Sequence, residues 1–381
     1  MAGLYVHIPF CKAKCRYCDF VSFADCESMG EYCGALLKEI RLCGETLPKL
    51  EYDTVFFGGG TPSILPQGAI AMLLDALRAS FSIAPGAEIT IEANPGTLSE
   101  DKLKEYRSAG VNRLSMGLQS ANDVLLETIG RIHRFKDFVQ NYECARAVGF
   151  DNINADIMYG LPGQAVKDHL DTIEALYKLG LDHVSAYSLI VEEGTPLYTD
   201  IIGGVESLPA EDDAYLMHRK GMEFLEQLGY ARYEISNYAK PGFASRHNLN
   251  YWDNGQYLGL GLNSHSAMRI DGKWLRFFNT ANLSDYIQSC ARGVRPMEGK
   301  AEEIPLKEEM FETVMLGLRK TEGVSEKAFF ERFGTALDEA YGPALEQLSA
   351  RGWLARQGGY CHLTDEGLDF QNEALLAFME D

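Results

Sequence analysis

Between Leu4 and Ile190 the chain repeats one rhythm: a short apolar or alternating run, then a longer stretch with apolar residues at helical spacing. The strand-like runs are Leu4–Phe10, Thr54–Phe57, Glu88–Ala93, Arg113–Leu118, Asn152–Ile157 and His183–Ile190. The helical pattern marks Glu27–Leu42, Ala69–Leu74, Leu103–Ser108, Phe138–Val148 and Leu170–Leu179. Strands alternating with helices predict a parallel α/β sheet, and six such units predict a curved, partial (β/α)6 TIM-like barrel. In such folds reactive loops sit at the carboxyl ends of the strands. Cys11, Gly58-Gly-Gly60, Glu92, Gln119 and Asp156 all fall at or near those ends.

Past Ile190 the rhythm changes. Asp212–Leu228 is helical, and a region rich in aromatics and glycine runs to about Gly299. Helical stretches then lead to a hairpin pattern over Gly352–Leu363, with Gly358-Gly359 at its turn. The expected organisation is a core barrel over 1–232, a connecting segment over 233–299 and a smaller, mixed, winged-helix-like C-terminal domain over 300–381.

Composition narrows the function classes. A formal charge of −20 disfavours nucleic acid and anionic membranes. Residues 300–381 hold 17 acidic and 8 basic side chains, so a winged helix here suits a structural or docking role better than DNA. Lys12, Lys14 and Arg16 form a local basic patch suited to a small anionic ligand. The start of the chain has no signal-peptide pattern, and no apolar run reaches the roughly 18 residues of a membrane span. Nine cysteines, an odd count, do not suggest a disulfide framework, so a cytoplasmic, reducing setting is expected.

Three thiols stand within eight residues, Cys11-Lys-Ala-Lys-Cys15-Arg-Tyr-Cys18. Thiolates select zinc, copper(I) or iron–sulfur clusters, and a closed zinc site or an all-cysteine cluster wants four ligands. Three therefore suggest a four-iron cluster with one open iron, the alternative being a zinc site completed by His7. Gly58-Gly-Gly-Thr-Pro62 follows a strand, where backbone groups can approach a ligand closely. Cys26, Cys33 and Cys43 lie along one predicted helix and, with Cys144, Cys290 and Cys361, read as core or incidental thiols.

The C-x3-C-x2-C motif, with Tyr17 before its last cysteine, resembles the signature of the radical S-adenosylmethionine (SAM) enzymes. Together with Tyr5-Val-His-Ile-Pro-Phe-Cys11, Gly58–Pro62, Ile91-Glu92, Arg113–Gln119 and Asp156–Pro162, it resembles the oxygen-independent coproporphyrinogen III dehydrogenase family. The likeness runs from Leu4 to about Met268 and more loosely beyond. It implies a radical SAM barrel with a [4Fe-4S] cluster on Cys11, Cys15 and Cys18, and SAM on Tyr5, Gly59 and Glu92. Positions resembling contacts of a second SAM are Tyr17, Gly60, Thr61, Gln119, Arg131 and Asp156.

Two departures point away from the dehydrogenase. Its motif continues to a fourth cysteine as C-x-C, whereas Cys18 is followed by Asp19-Phe20, and its N-terminal arm is absent. Both features, and His247-Asn-Leu-Asn-Tyr-Trp252, resemble a heme-binding chaperone branch of the family. That resemblance implies heme as cargo and an acceptor hemoprotein such as a membrane respiratory enzyme. It also implies an electron donor such as a flavodoxin or ferredoxin. His247 is the first candidate heme ligand, with Tyr251 and Trp252 packing on the porphyrin and His7 and His265 as competitors; the alternative is that His247 and Asn248 only orient a loop over the barrel mouth. The rival expectation is an enzyme that decarboxylates coproporphyrinogen III.

Overall fold

The structure, a computed structural model, describes residues 1–379. Parallel strands alternate with helices as β1 (Ala2–Ile8), α1 (Met29–Thr46), β2 (Glu51–Gly59), α2 (Ala69–Ser80), β3 (Ser82–Ala93), α3 (Glu100–Ala109) and β4 (Arg113–Gln119). The series continues through α4 (Asp123–Thr128), α5 (Phe135–Ala147), β5 (Asn152–Tyr159), α6 (Val166–Leu179) and β6 (His183–Ser188). Neighbouring strands from β1 to β6 pair in parallel. The short α4 escapes the periodicity because it spans little more than one turn.

Strand register divides the side chains cleanly by face. Leu4, Val6, Val55, Phe57, Ile91, Leu114, Met116, Ile153, Ala155 and Val184 share one side and join the helices in a single apolar core. The other side carries Tyr5, His7, Thr54, Glu88, Glu92, Arg113, Ser115, Asn154, Asp156 and His183. That concave face is polar. Its members hydrogen-bond one another: Asn154 donates to Ser115 Oγ (2.7 Å) and Asp156 Oδ1 (2.8 Å), and His183 bonds Asn154 Oδ1 (2.6 Å). Burial without such partners would be costly.

After β6 come α7 (Pro196–Ile202), α8 (Glu211–Gln227), β7 (Ala231–Arg232), β8 (Asn237–Ala239), α9 (Arg246–Trp252) and β9 (Gln256–Leu260). Next are β10 (His265–Ile270), β11 (Lys273–Phe278), α10 (Leu283–Ala291) and β12 (Glu302–Glu303). One twelve-stranded sheet results, in the order β12-β11-β10-β9-β1-β2-β3-β4-β5-β6-β8-β7. The stretch read as a connector, 233–299, thus extends both edges of the barrel sheet. Its strands are short and lack crossover helices, so the strand–helix rhythm did not reveal them.

The C-terminal part comprises α11 (Leu306–Gly317), β13 (Val324–Ser325), α12 (Glu326–Phe333), α13 (Leu337–Ala350), β14 (Leu354–Gln357), β15 (Tyr360–Leu363), α14 (Asp365–Asp369) and α15 (Gln371–Leu376). Its antiparallel sheet runs β13-β15-β14, and it keeps a separate core around Leu318, Phe329, Leu345 and Leu363. Ion pairs tie it to the barrel. Buried Glu309 takes Arg269 from β10 and Arg332 from α12, and Arg276 bonds both oxygens of Glu312 at 2.8 Å. Among the described residues no helix is long and apolar enough to cross a membrane.

Candidate functional site

A cavity of about 380 Å³ opens at the carboxyl ends of β1 to β6. It is lined by Cys11, Cys15, Cys18, Tyr17, Gly59, Gly60, Thr61, Glu92, Gln119, Arg131 and Asp156. Tyr5 stands one strand position below, its hydroxyl bonded to His7 Nδ1 at 3.0 Å. Every residue expected to hold the cluster or SAM is thus gathered at one end of the barrel.

The cysteine loop is fastened from both sides. Cys11 N donates to Phe23 O (2.9 Å), and Cys18 N to Cys15 O (3.3 Å). Arg16 turns away from the cavity to pair with Asp200 and Glu206 and to donate to Thr128 O (2.6 Å). The basic patch expected there is therefore reduced to the exposed Lys12 and Lys14. Tyr17 packs against Leu125, Ile129, Met158 and Leu161.

The glycine triplet is fitted to this loop. A Cβ on Gly60 would meet Phe10 O at 2.6 Å and Cys11 Sγ at 3.0 Å. Gly59 has φ +112°, and a Cβ there would strike the His7 ring at 2.6 Å. Thr61 Oγ1 donates to Cys11 Sγ at 3.6 Å.

The thiol set suits an iron–sulfur cluster better than zinc. The His7 imidazole is taken by the Tyr5 hydroxyl and by Val21 O (3.3 Å), so it is not presented as a fourth zinc ligand. Arg131 Nη1 donates to Cys15 Sγ at 3.4 Å, which places a cation against one of the three sulfurs. Cys26 lies before α1 rather than within it and is exposed, with Sγ 3.9 Å from Cys11 O. Of the two readings, core or incidental, its exposure leaves the second, and it falls outside the helix because α1 begins only at Met29. Cys33, Cys43, Cys290 and Cys361 are buried, as read.

Carboxylates in the cavity are held above their usual range. Burial pushes Glu92 up to about 8, with the Asp156 charge adding and the Gly59 N–H donating to Oε2 (3.1 Å) opposing. Asp156 is raised by burial too, offset by hydrogen bonds from Asn154 and Ser185. Gln119 is buried at φ +75° beside a register shift in the β4–β5 pairing, a strained backbone for a non-glycine residue. Sequence reading missed Asn94, Ser115, Met158 and Tyr187, which also line the cavity. Period-two spacing from Asp156 and Ser185 was the available signal for Met158 and Tyr187.

The Glu92 shift has a measurable consequence. In cluster-free protein, folded Glu92 keeps its proton between about pH 4.5 and about pH 8, whereas the unfolded chain has lost it. Stability should therefore fall as pH rises through that window. Glu39, pushed up to about 7 by burial, contributes to the lower part, so the interval from about pH 7 to pH 8 is diagnostic. Urea unfolding of Glu92→Gln should show a flatter slope there than the parent; equal slopes would reject the assignment.

The Radical SAM superfamily matches residues 5–176, and the HemN C-terminal domain matches residues 304–370. Heme chaperone HemW of Bacillus subtilis is 39% identical over 100% of this chain and 99% of its own length. The Escherichia coli protein of that name is 34% identical over 100% and 98%. The chain belongs to the HemW family. Among solved structures, coproporphyrinogen III oxidase (HemN) from Escherichia coli superposes with a TM-score of 0.85, covering 99% of this chain and 89% of that one. Its sequence identity is 22%, so the likeness is one of fold.

Within this HemW-family chain the His247-Asn-Leu-Asn-Tyr-Trp252 motif is not at the cavity mouth. It forms α9, which plugs the opposite end of the barrel beneath Gly3, Thr54 and Glu88. Glu88 accepts from the backbone N–H groups of Arg246 and His247, both at 3.1 Å. His247 is 1% exposed, with Nδ1 bonded to Thr54 Oγ1 (2.8 Å) and Nε2 to Tyr251 OH (2.9 Å). Both nitrogens are used, so the expectation of an imidazole offered to heme iron is corrected. Tyr251 packs edge-on against His247 and Tyr257, and Arg319 lies over the Trp252 ring at 4.9 Å.

Proposed function

We propose that this chain is a [4Fe-4S] radical SAM protein that binds heme and transfers it to an acceptor hemoprotein. Identity spread over the whole chain carries this reading: the heme chaperones align end to end at 39% and 34%, while the oxidase shares its fold at 22%. Cys11, Cys15 and Cys18 would hold the cluster, and Tyr5, Gly59 and Glu92 a SAM molecule. A cluster with an open iron supplies a chelation point for SAM and an electron for its reductive cleavage. Tyr17, Gly60, Thr61, Gln119, Arg131 and Asp156 are the contacts proposed for a second SAM. Glu92, protonated near neutral pH in the empty cavity, would regain its charge beside a sulfonium cation. A flavodoxin or ferredoxin is the proposed electron donor, the cytoplasm the proposed setting, and a membrane respiratory enzyme the proposed acceptor.

For the heme iron we take His265 first. It alone of the eight histidines is exposed, and among the described residues its imidazole has no hydrogen-bond partner. Its ring stacks on Phe278 at 5.0 Å, on the same sheet face as Tyr257. A neutral imidazole is a common iron ligand. Titration of heme into the purified protein is expected to reach an equimolar end point, and His265→Ala to weaken binding about tenfold or more. Reconstituted protein given coproporphyrinogen III, SAM and a reductant should make no protoporphyrinogen. Product formation would install the dehydrogenase reading instead, and a parent protein that binds no heme would remove the chaperone one.

A further inference from the structure

We infer that Arg131 is the counter-charge of the cluster site and sets the reduction potential of the cluster on Cys11, Cys15 and Cys18, a role that rests on the cluster reading above. Arg131 follows α4, and the Arg131 backbone N–H donates to Leu126 O at 2.8 Å. Its side chain crosses to the cysteine loop. Nη1 donates to Cys15 Sγ at 3.4 Å, while Nη2 donates to Asn94 Oδ1 at 2.7 Å and to Gly117 O. Nε is sealed from solvent and has no partner.

None of these acceptors is a carboxylate, and among the described residues Arg131 makes no ion pair. Arg131 is half-buried, and a charge withdrawn from water is expensive unless an opposite charge faces it. Arg16 meets Asp200 and Glu206, and Arg146 meets Asp182, whereas Arg113, more deeply buried on β4, also makes no ion pair among the described residues; what sets Arg131 apart is its contact with a candidate ligand sulfur. Asp156 lines the same cavity and acts on Arg131 electrostatically without touching it, but burial holds its own carboxyl up toward the neutral form. The candidate cluster ligand in direct contact with the guanidinium is the Cys15 sulfur, 3.4 Å from Nη1.

A cation and an N–H donor on a ligand sulfur favour the more negative, reduced cluster, which raises its potential. When the cluster takes one electron from an external one-electron donor, Arg131 keeps its proton and no bond is made or broken. Asn94 and the Gly117 carbonyl hold the guanidinium in place. Gly117 must lack a side chain for this, since a Cβ there would meet Arg131 Nη2 at 2.8 Å.

The test uses the full chain, reconstituted without oxygen, as parent, Arg131→Met and Arg131→Lys. Iron and sulfide content are measured first, and dithionite titration with electron paramagnetic resonance then gives the midpoint potential. Arg131→Met is expected to reduce the ratio of reduced to oxidised cluster at a fixed potential about tenfold, which is about 59 mV for a one-electron couple. Arg131→Lys should lie nearer the parent, because it keeps the charge and loses only the planar fork. An unchanged midpoint in Arg131→Met at full iron content overturns the inference. If Arg131→Met cannot hold the cluster, Arg131→Lys decides: full loading with a near-parent midpoint supports the counter-charge, and loss of the cluster there too overturns it. A parent protein that binds no cluster would instead remove the underlying cluster reading.

Discussion

Replacing Cys11, Cys15 or Cys18 with alanine is expected to abolish the four-iron cluster, with iron and sulfide falling to background in each case. On the proposed assignment each supplies one of three thiolates, and the loop that carries them is fixed by backbone bonds to Phe23 and by the Arg16 ion pairs. Cys33 and Cys43 lie in the helical core, where burial pushes their thiols up to about 11 and about 12, far from the thiolate that binds metal. Cys33→Ala and Cys144→Ala should keep full iron content. Cys26→Ala is the sharper control, because that thiol is exposed and close to Cys11. Loss of cluster in Cys26→Ala with retention in Cys15→Ala would reassign the ligands.

The cavity end of the barrel was legible in the sequence because its chemistry follows strand ends, and strand ends follow from the alternation of apolar runs and helices. Glu92 lies on β3 and Asp156 on β5, the elements the pattern drew, and register places them on one face. The other end was not legible. Glu88 and His183 sit on the concave side of strands already recognised, but partners arrive from α9 and from Tyr233, distant in sequence and bound by hydrogen bonds rather than by periodicity. The same holds for Glu39, whose carboxylate accepts from Gly261 N (2.8 Å), Tyr286 OH (2.5 Å) and Asn279 Nδ2 (2.5 Å) and so clamps α1 to the added strands. Such contacts are specified by geometry after folding, and residue spacing carries no trace of them.

His247 is where the two views separate most, and its replacement should have the second large effect. The imidazole is held neutral, since burial and the Arg113 charge bring it down to about 3. A neutral ring has one donor and one acceptor nitrogen, and Thr54 and Tyr251 satisfy both. The ring also stacks on Phe56 at 5.1 Å, and Phe56 in turn lies against Tyr5 at 6.2 Å, so it supports the floor of the cavity from below. His247→Ala removes a buried ring and orphans two buried hydroxyls, each costing about 1–3 kcal/mol. A total loss of about 3–5 kcal/mol is expected, comparable to removing a buried aromatic. Heme binding per folded molecule should remain equimolar, and iron content unchanged. His247→Gln, which can keep one of the two hydrogen bonds, should recover part of the stability. A His247→Ala protein as stable as the parent but unable to bind heme would return this residue to the iron.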